Sequence, residues 1–61
     1  MTYNIGEYVQ IVNHAESECN GQYGYIKEIQ IGYDGMTRFY TVELEDTYTK
    51  CTCIDDEMME G

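Results

Sequence analysis

Apolar residues in this chain recur at every second position, in short runs, and almost never at helical spacing. In Tyr8-Val9-Gln10-Ile11-Val12, Val9 and Ile11 share one face. In Phe39-Tyr40-Thr41-Val42-Glu43-Leu44, Tyr40, Val42 and Leu44 share one face, and Thr41 and Glu43 take the other. In Thr49-Lys50-Cys51-Thr52-Cys53 the two cysteines fall together. A period of two predicts half-buried strands. A fourth run, Tyr25-Ile26-Lys27-Glu28-Ile29-Gln30-Ile31, loses its alternation between Ile26 and Ile29. A β-bulge there would return both isoleucines to one side. The nearest approach to a helix is Asp55-Asp56-Glu57-Met58-Met59, enough for one 3₁₀ turn ahead of an acidic tail that runs to residue 61.

The residues between these runs suit turns. Asp34-Gly35 predicts a two-residue hairpin turn, pairing Tyr25–Tyr33 with Met36–Leu44. Asp46-Thr47 predicts a second turn, between Leu44 and Thr49. The polar stretch from Asn13 to Gln22, with Asn20-Gly21, predicts a long loop. At 61 residues the chain is expected to form one domain with a small core. An active-site cleft between two lobes is excluded. Apolar residues make up 43% of the chain and proline is absent, so order is expected despite the high charge. Four to five short antiparallel strands of this size are expected to curl into a small all-β barrel, because a flat sheet would leave a face and two edges bare.

Charge narrows the partners. Twelve acidic residues against three basic ones give a net charge of -9. Such a surface repels phosphate and argues against direct binding of nucleic acid and against anionic membranes. No apolar run is long enough for a membrane helix. Met1-Thr2-Tyr3-Asn4 has neither the basic nor the apolar region of a signal peptide. Together with an odd cysteine count, this sets the expectation of a reducing, cytoplasmic setting.

The stretch from Ile5 to Ile29 carries a spaced pattern. It reads Gly6-Glu7-Tyr8-Val9-Gln10-Ile11, a loop, then Gly21-Gln22-Tyr23-Gly24-Tyr25-Ile26. It is followed by Tyr40-Thr41-Val42-Glu43-Leu44 and by the acidic turn Asp55-Asp56-Glu57-Met58. In these residues the chain resembles the KOW-type SH3-like barrels, a fold also found in small phage and mobile-element proteins. The resemblance implies an SH3-like barrel over residues 1–61, with Gly24 allowing the sharp entry into the second strand, at a position where a side chain is costly. It also implies partners among RNA, ribosomal protein or transcription machinery, which the family meets with basic loops. Here the corresponding loop, Asn13 to Asn20, holds two acids and no Lys or Arg. The tryptophan of proline-binding SH3 grooves is missing as well.

The chemistry-bearing residues are few. Cys51 and Cys53 are expected to pack in the core as small apolar residues. Zinc held by Cys19, Cys51, Cys53 and His14, or a disulfide from Cys19 to one strand cysteine, are the alternatives. His14 is expected to be a solvated loop residue, and no nucleophile, base and oxyanion set can be assembled. Seven acids lie from residue 43 onward: Glu43, Glu45, Asp46, Asp55, Asp56, Glu57 and Glu60. They form either a solvated surface or one that meets a basic protein. The spacing of a calcium loop is absent. Tyr8 and Tyr25 should point outward, either as interface anchors beside the acids or as mutual support for a thin sheet.

The expected function is that of a non-enzymatic, acidic protein-binding module without metal or cofactor. Its contact residues would be Tyr8, Tyr25, Glu43, Glu45, Asp46, Asp55, Asp56 and Glu57. In its sharpest form it is a phage or mobile-element inhibitor that occupies the basic nucleic-acid-binding surface of a host protein. The alternative is a KOW-like accessory module of a ribosomal, transcription or replication assembly, touching nucleic acid near Lys27, Arg38 and Lys50.

Overall fold

The computed structural model describes residues 2–61. Strand β1 spans Tyr8–Ile11, β2 Tyr23–Ile31, β3 Arg38–Leu44 and β4 Lys50–Cys53. A 3₁₀ turn at Asp55–Glu57 leads into β5, Met58–Glu60. All five strands join one antiparallel sheet in the order β4-β3-β2-β1-β5. The sheet is not closed: β4 and β5 are its edges and share no ladder.

The expected bulge lies between Ile26 and Glu28 on β2. It sets Ile26 opposite Val42 and Ile29 opposite Tyr40, so both isoleucines face inward. The core contains the predicted Val9, Ile11, Ile26, Val42 and Leu44, and Ile29 packs against it partly buried. Tyr40, Cys51 and Cys53 are also buried, as their parity requires. Three core residues fall outside the predicted strands: Tyr3, Cys19 and Met58. Tyr3 meets the Tyr40 ring edge-on at 5.8 Å and donates its hydroxyl to the Met58 carbonyl at 3.2 Å.

Gly24 faces the core from the middle strand, opposite Val9 on β1 and Leu44 on β3. A Cβ there would collide with the Glu43 carbonyl oxygen and come within 2.9 Å of Val42 Cγ1. Its missing side chain is what lets β3 approach β2.

The structure corrects three expectations. The β2–β3 connection is not a two-residue turn at Asp34-Gly35. Gly32 and Thr37 close the hairpin, with the Gly32 N–H 2.7 Å from the Thr37 carbonyl. Asp34 accepts from Met36 N, Thr37 N and Thr37 Oγ1, and only Gly35, at φ 73°, takes a left-handed turn conformation. The side chain of Asp34 thus organises a longer loop than the dipeptide suggested. Second, the acidic tail is not simply solvated. After the 3₁₀ turn, β5 pairs with β1 and buries Met58. Third, Cys51 is not a free packing thiol. It forms a disulfide with Cys19, while Cys53 remains a buried free thiol. The chain thereby pins the Asn13–Gln22 loop onto the edge strand β4.

Candidate functional site

The outward faces of β1, β2 and β3 form a row of polar and aromatic side chains. Because Val9 and Ile11 point inward, Tyr8 and Gln10 point outward. Gly24 turns inward between Tyr23 and Tyr25, which leaves both tyrosines on the outer face. Tyr8 stands opposite Tyr25, Tyr25 opposite Glu43, and Glu43 opposite Lys50.

Three tyrosines meet there. The Tyr8 ring stacks on Tyr23 at 5.7 Å with 17° between planes, and tilts against Tyr25 at 5.0 Å. Tyr8 is half-buried, and its hydroxyl donates to Glu45 Oε2 at 3.0 Å. Partial burial first, then the hydrogen bond to Glu45, push the Tyr8 phenol above its ordinary value. The phenol therefore stays protonated as a donor. Glu45 is also fixed through its backbone, whose N–H donates to the Tyr23 carbonyl at 3.0 Å. Tyr23 and Tyr25 remain 39% and 44% exposed, enough to offer ring surface to a partner. Lys27, the bulge residue, pairs with Glu43 at 3.6 Å, the one ion pair among the described residues. Lys50 lies across from the same carboxylate, so Glu43 is locally offset and Glu45 is the acid that charges this face.

The eight predicted contact residues divide into two groups. Tyr8, Tyr25, Glu43 and Glu45 come together, and Asp46 follows in the turn beyond β3. Asp55, Asp56 and Glu57 lie apart, in the 3₁₀ turn. Asp55 and Asp56 border a shallow hollow with Met36, Thr37 and Arg38, at the opposite end of β3 from Glu43. Glu57 has a structural duty: its Oε1 accepts the Ile54 N–H at 3.0 Å, and its carbonyl accepts the Val12 N–H at 2.8 Å. Tyr23 was missed in the sequence reading. Its parity with Tyr25 across one intervening glycine was the available signal.

The donors set aside in the sequence take definite places. The His14 ring is not free in solvent. Its Nδ1 accepts from Glu16 N at 3.1 Å, so its Nε2–H donates to the Thr52 carbonyl at 3.0 Å. Cys53 lies close by, and burial, with the Glu57 carboxylate second, pushes its thiol up to about 12. The disulfide removes Cys19 and Cys51 from any metal set. His14, Cys53 and Glu57 nevertheless bring three donor atoms within 4.8 Å of one another. Among the described residues, no helix is long and apolar enough to cross a membrane. Comparison with protein-family models, with curated proteins and with solved structures finds no match.

Proposed function

We propose that this chain is a non-enzymatic, acidic protein-binding module that docks on a basic protein surface through its tyrosine face. The observation that carries the reading is the Tyr8–Tyr23–Tyr25 cluster locked to Glu45. Stacked phenol rings offer apolar area already fixed in position, so little side-chain freedom is lost on binding. An adjoining carboxylate adds a charge-assisted acceptor for arginine or lysine, and the ring faces attract the same cations. The net charge of -9 steers basic partners toward the molecule. In its sharpest form, the module is a phage or mobile-element inhibitor that occupies a nucleic-acid-binding groove, with carboxylates in place of phosphates. The strand order, the closely packed Gly24 and the 3₁₀ turn between β4 and β5 support the likeness to a KOW-type SH3-like barrel.

The second reading, an accessory module of a nucleic-acid assembly, draws on Lys27 and Lys50 flanking Glu43. Arg38 lies at the far end of β3 and does not join them.

The test is affinity purification with wild-type protein, followed by binding kinetics on the partner recovered. Glu45→Lys should slow association several-fold and flatten its salt dependence, since an exposed charge acts on encounter. Tyr25→Ala should act mainly on dissociation. Asp56→Lys should change the on-rate less than Glu45→Lys. A partner that binds both tyrosine-face variants as well as wild type overturns the proposed face. Tight RNA binding by the wild type at physiological salt replaces the first reading with the second.

A further inference from the structure

We propose that His14, Cys53 and Glu57 form a binding site for one divalent cation of the zinc class. The three residues come from three segments: the β1–β2 loop, the end of β4 and the last position of the 3₁₀ turn. Their donor atoms, an imidazole nitrogen, a sulfur and a carboxylate oxygen, lie within 4.8 Å of one another. Bonds of about 2.0–2.3 Å in a tetrahedral site place donors roughly 3.3–3.8 Å apart. The cluster therefore needs to contract by on the order of 1 Å.

Two of the donors, His14 and Glu57, are already positioned by hydrogen bonds, and the third, Cys53, by burial. The loop is tied to β4 through the Cys19–Cys51 disulfide, which holds His14 over the strand. Glu57 spends Oε1 on the Ile54 N–H and leaves its other carboxylate oxygen without a protein partner among the described residues. Ligation through Nδ1 costs the half-exposed His14 ring its hydrogen bond from Glu16 N and leaves Nε2–H on the Thr52 carbonyl. Cys53 is 1% exposed, so its sulfur faces the protein interior. A dication bound to one thiolate and one carboxylate is formally neutral, which suits a position next to the core. Nitrogen and sulfur donors select zinc-like ions over magnesium or calcium. Binding replaces the S–H bond of Cys53 by an S–metal bond and releases the proton to solvent. The fourth position is open to water, as it is when only three protein ligands are supplied.

The test adds zinc, and cobalt(II) as its spectroscopic substitute, to the protein with its disulfide intact. Wild type should bind one equivalent, release one proton, and show a thiolate-to-cobalt charge-transfer band. His14→Ala, Cys53→Ser and Glu57→Gln should each weaken binding by at least about tenfold. The band should vanish in Cys53→Ser. Glu57→Gln retains an oxygen for the Ile54 N–H, so it tests the ligand without removing the cap. Asp56→Asn should bind as wild type does. A cobalt spectrum without the thiolate band overturns the proposal. So does equal affinity in wild type and Glu57→Gln, which would place the ion on the surface acids.

Discussion

Replacing Gly24 by alanine adds one methyl group at the most constrained point of the sheet. That carbon would collide with the Glu43 carbonyl oxygen and come within 2.9 Å of both the Glu43 carbonyl carbon and Val42 Cγ1. Two of these three atoms are backbone, so no side-chain rotation relieves the contact. Nor can β2 shift away, because Gly24 is paired with Val9 on one side and Leu44 on the other. Overpacking costs about 1–3 kcal/mol, and a rigid neighbour puts this site at the upper end, about 3 kcal/mol. For a domain of this size each kcal/mol lowers the melting temperature by about 4–8 °C, so Gly24→Ala should melt about 12–24 °C below wild type. Gly35→Ala is the control. Its φ is 73° and nothing lies within 4 Å of an added Cβ, so only the left-handed backbone is strained. That costs about 1–2 kcal/mol. Thermal melts followed by circular dichroism, with the disulfide intact, compare the two. If Gly24→Ala is no less stable than Gly35→Ala, the close-approach argument is wrong.

Val42→Ala, in a fully buried position, should cost about 1–3 kcal/mol in urea unfolding, and a midpoint equal to wild type would refute its core role. Breaking the Cys19–Cys51 link with Cys19→Ser and Cys51→Ser together should cost about 3–4 kcal/mol, from the entropy of a closed loop of this length, as measured by denaturant melts. In the native oxidised protein no cysteine should react with an alkylating agent until the core opens, and then only Cys53. The hydrogen bonds from Thr37 Oγ1, Thr37 N and Met36 N lower the Asp34 carboxyl from 3.8 to about 2. Its contribution to stability is therefore present above pH 3.8 and is lost as the pH falls through about 2. Asp34→Asn should flatten that acid limb of the stability curve, and an NMR titration giving Asp34 an ordinary carboxylate midpoint would refute the loop chemistry.

Strands were legible wherever one face is buried and the run is long enough to show it. The break between Ile26 and Ile29 even disclosed the bulge, because both side chains must reach one core. The rest depended on contacts distant in sequence. Tyr3 lies outside any strand and is buried by Tyr40 and Met58, 37 and 55 residues further on. Strand β5 has three residues, too few for a period to emerge, and exists because β1 offers it a ladder. Cys19 sits in a polar stretch and is buried only because the loop folds back onto β4. In the candidate site, parity placed Tyr8, Tyr25 and Glu43 on the outer face. Register, which parity does not specify, decided that Tyr8 meets Tyr23 and Glu45. The acids of the 3₁₀ turn resembled the others in sequence, and only geometry separates Glu57, a cap, from Asp56, an exposed charge.

The disulfide encloses β2, β3 and the first half of β4 in a covalent ring, and leaves β1 and β5 outside it, paired with each other. Val9 faces Glu60 and Ile11 faces Met58, so the leading end of β1 and the trailing end of β5 lie side by side. Tension applied between the two ends therefore opens this pair as a zipper, one ladder bond at a time, instead of shearing all of them at once. Low force should peel the outer pair away, and extension should then stop at Cys19 and Cys51 until a reductant cuts the ring. Adjacent ends also mean that a longer chain could leave and rejoin its path at one point on the surface, the arrangement that makes domain insertion and circular permutation tolerable.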